Sequence, residues 1–279
     1  MKSAAFQMHR PSSIREILDL LELHGEDARI LAGGQTLVPM LAMRVASPAH
    51  LIDLSLTQEL HQFNVTKGSL RVGAGVTQST LEGWDLLAIT QPLLKMMFPW
   101  VAHSPIRNRG TVCGSIAHAD PSAEMVLALM TLGGSVTLAC KKRERRVKAA
   151  DFFLGALQTS RESNELIVSV EFPIQSAGTG FGFAEYGYRH GDFAVVAVAV
   201  VRNGKSWTIG FGGVDDTVKV SRIEASSLAE VNEHINKLAS TIEVREDPTA
   251  TSGLRRHLMR SMGARAAKQA FEFEGEYQS

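Results

Sequence analysis

The chain has 279 residues, and at roughly 150 residues per domain this length favours about two domains. Hydrophobic residues make up 44% and charged residues 21% of the sequence, so the chain can bury a core and is not expected to be disordered. The 29 Lys and Arg residues balance the 29 Asp and Glu residues, which argues against a dedicated nucleic-acid-binding protein.

The sequence contains two cysteines, Cys113 and Cys140. Two cysteines exclude a disulfide framework, and one copy of the chain cannot build a four-thiolate zinc or iron–sulfur site. Two separate thiols are typical of a reducing compartment. No signal-peptide pattern and no apolar run of roughly 20 residues is found, so we expect a cytoplasmic protein without a transmembrane segment.

The first third of the chain reads as helix, strand, helix, strand. Ser13 and Glu16 form a capping-box pattern that opens an amphipathic helix. Short apolar strands are predicted at residues 28–32 and 50–54, and Thr36 is predicted to begin a helix between them.

The middle of the chain mixes strand and helix patterns. Strands are predicted at residues 69–75, 135–139 and 166–172, and helices at residues 92–102 and 120–130. Asp120 is the predicted N-cap of the second helix, with Pro121 at its first position. The cationic run at residues 141–146 is interpreted as an exposed hairpin tip rather than a nucleic-acid site.

The last third follows a linker rich in Pro, Ser and Gly at residues 173–180, where we predict a domain boundary. Strands are predicted at residues 180–189, 193–202 and 206–214, and helices at residues 228–238 and 252–271. Strands followed by helices favour an α+β domain with an antiparallel sheet.

Two glycine loops are the strongest candidates for a binding site. Residues 32–36, AGGQT, lie between a predicted strand and helix, where free N–H groups attract anions. Residues 109–115, RGTVCGS, run toward the predicted helix at Asp120. The two loops could hold one diphosphate from two sides, although an ordinary turn and a tight crossing of elements are the alternatives. Neither loop contains the GxGxxG or Walker pattern.

The loops and their flanks resemble two signatures of a known family. Residues 32–44, AGGQTLVPMLAMR, resemble "AGGxS-LLPxLKxR", and residues 106–124, IRNRGTVCGSIAHADPSAE, resemble "IRNxGTIGGSLAxADPxAD". RHGDFA at residues 189–194 and FGGV at residues 211–214 match patterns of the C-terminal domain. The chain is thus similar to the FAD-binding medium subunits of molybdenum hydroxylases, of the xanthine dehydrogenase and aerobic carbon monoxide dehydrogenase type.

The resemblance implies an α+β fold in two domains. Residues 1–175 would form a two-part FAD-binding α/β region of the PCMH type, divided near residues 55–65. Residues 176–279 would form a C-terminal α+β domain with an antiparallel sheet and helices.

The resemblance also implies that both loops bind FAD and that this chain has no catalytic acid, base or nucleophile. Glu124 would hydrogen-bond a flavin hydroxyl and Ile167 would lie under the flavin ring; a first-turn helix carboxylate and a core strand residue are the plain alternatives. The implied cofactor-binding residues are Ala32, Gly33, Gly34, Gln35, Thr36, Thr111, Val112, Cys113, Gly114, Ser115, Glu124 and Ile167.

Two positions depart from the family pattern. Cys113 stands where the pattern has glycine, and its side chain could crowd a phosphate. Glu185 stands where many relatives carry lysine, and a carboxylate cannot supply that cation to a reduced flavin. Tyr186 and Tyr188 are candidates to stack on the ring instead, with strand packing as the alternative.

The resemblance places the remaining cofactors on other chains. A large subunit would carry molybdopterin and a small subunit two [2Fe–2S] clusters, in a heterotrimer or a dimer of heterotrimers. FAD on this chain would pass the electrons to an external acceptor. Two alternatives remain open: a stand-alone flavoprotein reductase or oxidase, and a flavin-free assembly subunit, which Cys113 and Glu185 would favour.

Overall fold

A computed structural model describes residues 2–66 and 68–273 of the chain. The first region is a three-stranded parallel sheet in the order β1-β3-β2 with two helices. Its elements are β1 (Gln7–His9), α1 (Ile14–His24), β2 (Ala28–Leu31), α2 (Leu37–Ala42) and β3 (His50–Asp53).

The second region is built on a five-stranded antiparallel sheet in the order β4-β5-β10-β6-β7. Its strands are β4 (Phe63–Thr66), β5 (Ser69–Gly73), β6 (Ser135–Ala139), β7 (Glu144–Lys148), the small pair β8 (Phe153–Gly155) and β9 (Gln158–Thr159), and β10 (Leu166–Pro173). Its helices are α3 (Gln78–Glu82), α4 (Leu87–Thr90), α5 (Pro92–Met97), α6 (Ser104–Arg107), α7 (Val112–His118), α8 (Glu124–Thr131) and α9 (Ala149–Phe152).

The third region is a four-stranded antiparallel meander followed by two long helices. Its elements are β11 (Gly180–Tyr186), β12 (Val196–Asn203), β13 (Ser206–Gly212), β14 (Lys219–Glu224), α10 (Leu228–Thr241) and α11 (Ser252–Glu272). The predicted α+β class with an antiparallel C-terminal sheet is therefore confirmed.

The start and the buried face of helix α1 follow from its local sequence. The Ser13 hydroxyl accepts a hydrogen bond from the backbone N–H of Glu16, as an N-cap residue should. The Glu16 carboxylate accepts from the N–H of Ser12 at 2.8 Å, one residue earlier than in the standard capping box. Ile17 and Leu21 are fully buried, so one face of α1 packs on the parallel sheet.

The predicted start of the helix at Asp120 is wrong. The Asp120 carboxylate accepts from the N–H of Ser122 at 2.8 Å, and this turn keeps residues 120–123 out of the helix, which begins at Glu124. Helix α7 was not predicted because Gly114 and Ser115 are poor helix formers.

The cationic run lies where it was predicted. Strands β6 and β7 form an antiparallel hairpin, and residues 141–143 make its tip. Lys141 and Lys142 reach the carboxylates of Asp19 and Glu22 on α1, at 2.7 and 3.8 Å. The hairpin interpretation is therefore confirmed, and these charges contact the first region.

Helix α8 joins the second and third regions. Gly210 and Gly212 of β13 face α8, and a side chain on Gly210 would overlap Thr131 and press on Leu127. The helix therefore lies directly on the backbone of the C-terminal sheet, while α11 packs against β11 and β12 on the other face. No helix in the described part of the chain is both long enough and apolar enough to span a bilayer.

Candidate functional site

A cleft of about 560 Å³ lies where the three regions meet. Its walls come from both glycine loops, from the start of β10 and from residues 191–193. The volume falls within the range of about 300 to 1,000 Å³ that small-molecule and cofactor sites occupy. A smaller cavity of about 250 Å³ adjoins it and shares the side chains of Leu157 and Phe193.

The two glycine loops touch each other. A methyl group in place of a Gly33 hydrogen would overlap the carbonyl oxygen of Arg109 and come within 2.7 Å of the Gly110 Cα. Gly33 does not have a positive φ, so its backbone conformation does not require glycine. Glycine is needed here because the two loops approach each other too closely for a side chain. The structure therefore brings together two segments that are more than 70 residues apart in sequence.

The first loop presents unbonded amides. Gly34 adopts φ +74°, which turns the chain between β2 and α2. The backbone N–H groups of Gly33, Gly34, Gln35 and Thr36 donate to no acceptor within residues 2–66 and 68–273, and the Thr36 hydroxyl makes no cap hydrogen bond. A run of free amides at a turn is suited to binding an anionic group.

The second loop forms most of its hydrogen bonds internally. The Thr111 hydroxyl accepts from the N–H of Gly114 at 2.9 Å and caps α7. The N–H groups of Val112 and Ser115 donate to the carbonyls of Val76 and Thr111, each at 3.1 Å. This loop therefore forms a capped helix N-terminus, and it presents fewer unbonded N–H groups to the cleft than the first loop does.

The Cys113 thiol points into the protein core and not toward the neighbouring loop. The residue is 2% exposed, and its Sγ–H donates a hydrogen bond to the carbonyl oxygen of Val72 at a distance of 3.5 Å. Burial raises the pKa of this thiol to about 12. The thiol of the cysteine that departs from the family pattern therefore packs in the core, while the residue itself is among those that line the cleft.

Two buried carboxyl groups interact beside the cleft: Glu124 lines it, and Glu185, which does not line it, is close enough for the two charges to affect each other. Burial raises the pKa of Glu124 to about 7, and burial together with the charge of Glu124 raises the pKa of Glu185 to about 9. Glu185 Oε2 has no hydrogen-bond partner within the described residues. Because the two carboxyl groups disfavour each other's ionisation, the pair retains a proton near neutral pH.

Eleven of the twelve predicted site residues line the cleft; Val112 is the exception and packs in the core beneath the second loop. Ile167 is 5% exposed and lines the cleft at an irregularity in β10. Tyr186 and Tyr188 contact each other edge to face and are not among the residues that line the cleft.

Among the other residues that line the cleft, three that were not predicted as site residues are of particular interest: Gln78, Arg161 and Phe193. Gln78 donates its N–H to the Gly110 carbonyl at 2.8 Å, while its side-chain Oε1 is buried without a partner in the described chain. Arg161 donates to two backbone carbonyls nearby, and burial lowers its pKa. Phe193 lies within the RHGDFA motif, so the sequence offered a signal for its place in the site. Gln78 and Arg161 lie in no recognisable motif, and the sequence offered no such signal for them.

This geometry agrees with comparisons to known proteins. The family described as "FAD binding domain in molybdopterin dehydrogenase" matches residues 4–175. The chain is 36% identical over 231 residues to caffeine dehydrogenase subunit beta from Pseudomonas sp. strain CBB1, covering 82% of this chain and 75% of that one. It is 35% identical over 201 residues to the carbon monoxide dehydrogenase medium chain of Afipia carboxidovorans, covering 72% and 70% of the two chains.

Solved structures show the same fold. A chain of carbon monoxide dehydrogenase from Hydrogenophaga pseudoflava superposes with a TM-score of 0.90 at 29% identity, covering 97% of this chain and 99% of that one. A chain of quinoline 2-oxidoreductase from Pseudomonas putida 86 gives a TM-score of 0.90 at 33% identity, covering 97% and 98%. The chain therefore belongs to the family of FAD-binding medium subunits of molybdenum hydroxylases, which are oxidoreductase subunits.

Proposed function

We propose that this subunit binds one FAD in the cleft and passes electrons from [2Fe–2S] clusters on a partner chain to an external acceptor. The proposal rests on the contact between the two glycine loops, which together line a cleft of suitable size. The N–H groups of residues 33–36 in the first loop have no acceptor in the described part of the chain and lie at this cleft. The buried, unpartnered Gln78 Oε1 is a further polar group in the cleft that a ligand could satisfy.

Each wall of the cleft has its own role in this proposal. The amides of residues 32–36 would hold the diphosphate, and Gly114 and Ser115 would border it from the second loop. Glu124 would hydrogen-bond a flavin hydroxyl, and Ile167 would support the ring from β10.

Bound FAD would supply transfer of one or two electrons. The residues of the chain bind, orient and exclude water. The Glu124–Glu185 pair holds a proton beside the cleft at neutral pH, where many relatives have a lysine at residue 185. A neutral carboxylic acid avoids placing an unpaired buried negative charge near the cofactor.

The partners in this proposal are a large molybdopterin subunit and a small subunit with two [2Fe–2S] clusters, in a heterotrimer or a dimer of heterotrimers. The two free cysteines, Cys113 and Cys140, support this division because they cannot ligate such clusters. They also support a reducing location, the cytoplasm.

We also propose the domain division given by the resemblance: residues 1–175 for FAD binding, with a boundary near residues 55–65, and residues 176–279 as the C-terminal domain. The change from one sheet to the next supports it. The parallel sheet ends with β3 at Asp53, the middle sheet ends with β10 at Pro173, and the C-terminal sheet begins with β11 at Gly180.

The test is purification of the native complex, identification of its chains and quantification of released flavin. We expect one FAD per copy of this chain, together with a molybdopterin chain and an iron–sulfur chain. A colourless chain that takes up no added FAD would support the flavin-free assembly subunit. Reduction of the flavin by NAD(P)H or a substrate in the isolated chain, without partners, would support the stand-alone reductase or oxidase.

A further inference from the structure

Three histidines converge at one end of the parallel sheet, and the proposed flavin site uses none of them. His9 ends β1, His24 is the last residue of α1 and His50 begins β3. One ring nitrogen from each lies within 4.8 Å of the other two. All three side chains are half-buried, so they are fixed by their surroundings and still reachable from solvent.

The fold produces this convergence through strand register. His9 pairs with Ile52 in parallel register, and His50 lies two residues before Ile52 on β3. Residues paired in register, and residues two apart on a strand, share a face of the sheet, so His9 and His50 lie on the same face. Helix α1 covers that face with Ile17 and Leu21, and His24 continues the same helical stripe.

The rings are already in contact. The His9 Nε2 and His50 Nδ1 atoms are 3.0 Å apart and share a hydrogen bond, which requires an unprotonated acceptor nitrogen. The rings of His24 and His50 stack with centroids 3.7 Å apart.

We propose that His9, His24 and His50 form a binding site for one divalent transition-metal ion such as Zn²⁺, with a fourth position open to water. Neutral imidazole nitrogens are preferred ligands of Zn²⁺, Cu²⁺ and Ni²⁺, and three histidines with one open position are a known zinc coordination pattern. The bound ion ties β1, α1 and β3 together and stabilises the region that supplies the first glycine loop.

The distances suit such an ion. Metal–nitrogen bonds of about 2.0–2.1 Å in tetrahedral geometry place ligand nitrogens roughly 3.3 Å apart. The His9–His50 nitrogen pair is close to that separation at 3.0 Å, and every other pair lies within 4.8 Å. The lone pairs of imidazole lie in the ring plane, so binding of one ion would require the stacked rings of His24 and His50 to rotate apart. The elements that carry the three histidines need not move for this, because β1 already pairs with β3 and α1 contacts β3.

The experiment uses the full chain with bound flavin, expressed without a polyhistidine tag, stripped with a chelator and titrated with Zn²⁺ by calorimetry and equilibrium dialysis. We expect saturation at one Zn²⁺ per chain and a rise in Tm on binding. Single changes His9→Ala, His24→Ala and His50→Ala should each lower Zn²⁺ affinity by at least about tenfold. Loss of a residue that only hydrogen-bonds a metal ligand already costs about that much, and loss of a ligand itself should cost no less. His257→Ala, at an exposed histidine of α11, should bind Zn²⁺ as the wild type does.

Variants His9→Gln, His24→Gln and His50→Gln, which keep most of the side-chain volume, separate loss of a ligand from loss of folding. Circular dichroism and flavin content should match the wild type in these variants, while Zn²⁺ binding falls. The proposal is overturned if the wild type does not bind Zn²⁺ at one ion per chain, or if the histidine variants bind it as tightly as the wild type.

Discussion

The two sides of the cleft are built in different ways. The first loop leaves four amides unbonded and depends on close approach at Gly33. The other side is bonded mainly within the protein: Thr111 caps α7, Cys113 packs in the core, and Glu124 and Glu185 retain a proton between them. One side of the cleft is therefore suited to an anionic ligand, whereas the other side forms most of its contacts within the protein.

The largest effect is expected at the first loop. Gly33→Ala places a methyl group on the Arg109 carbonyl and forces the loops apart. Overpacking of this kind costs about 1–3 kcal/mol, so FAD affinity should fall about 5- to 150-fold, measured by flavin fluorescence on titration of the apoprotein. Gly253→Ala, where the nearest atom is 4.0 Å away, is the matched control and should keep wild-type affinity. Equal FAD affinity in both variants would contradict the described contact.

The acidic side should show a pH-dependent stability. The pKa values of Glu124 and Glu185 are raised to about 7 and about 9, so the folded protein binds protons that the unfolded chain releases. Their contribution to the free energy of unfolding is present below about pH 4.5 and is lost as the pH rises through these pKa values.

Glu185→Gln should therefore be more stable than the wild type at pH 9, and this difference should shrink toward pH 5. We expect a gain of at least about 1.4 kcal/mol at pH 9, the free energy of one pKa unit, read from urea unfolding. Glu224→Gln, at an exposed residue of β14, is the control for the change in net charge. A constant difference between wild type and Glu185→Gln across this pH range would show that Glu185 ionises normally.

A smaller effect is expected at the cap of α7. Thr111→Ala removes the hydroxyl that accepts from Gly114 and should lower the free energy of unfolding by about 1 kcal/mol. Thr111→Ser retains the hydroxyl and should lose less, as measured by urea unfolding of both variants. If the two variants are equally destabilised, the cap is not the stabilising contact.

The smallest effect is expected at Cys113. Because its thiol is buried and its pKa is raised to about 12, iodoacetamide at pH 8 should leave it unmodified in the folded protein. In a Cys140→Ser variant, native labelling should be close to zero and denatured labelling close to one per chain. Substantial native labelling would place the thiol in the cleft and contradict its position against Val72.

The sequence predicted features that rest on local patterns. The capping pattern predicted α1, three successive strand segments after the linker predicted most of the C-terminal sheet, and the glycine motifs located the cleft. Strands β1, β4 and β14 were not predicted, because they are short or carry few apolar residues. The contributions of Gln78, Arg161 and the three histidines depend on distant segments meeting in the fold, which no local pattern records.

The glycines of β13 have a consequence for motion. Helix α8 begins at Glu124, and its Thr131 and Leu127 side chains lie against Gly210 and Gly212, so the sheet contributes only backbone to this part of the contact. Hinge motion at this contact would require α8 to separate from the sheet as a whole, and the close packing of the core opposes that separation. The C-terminal meander thus fixes the position of α8, so we expect a larger residue at Gly210 to displace Glu124 at the start of that helix, although Gly210 does not line the cleft.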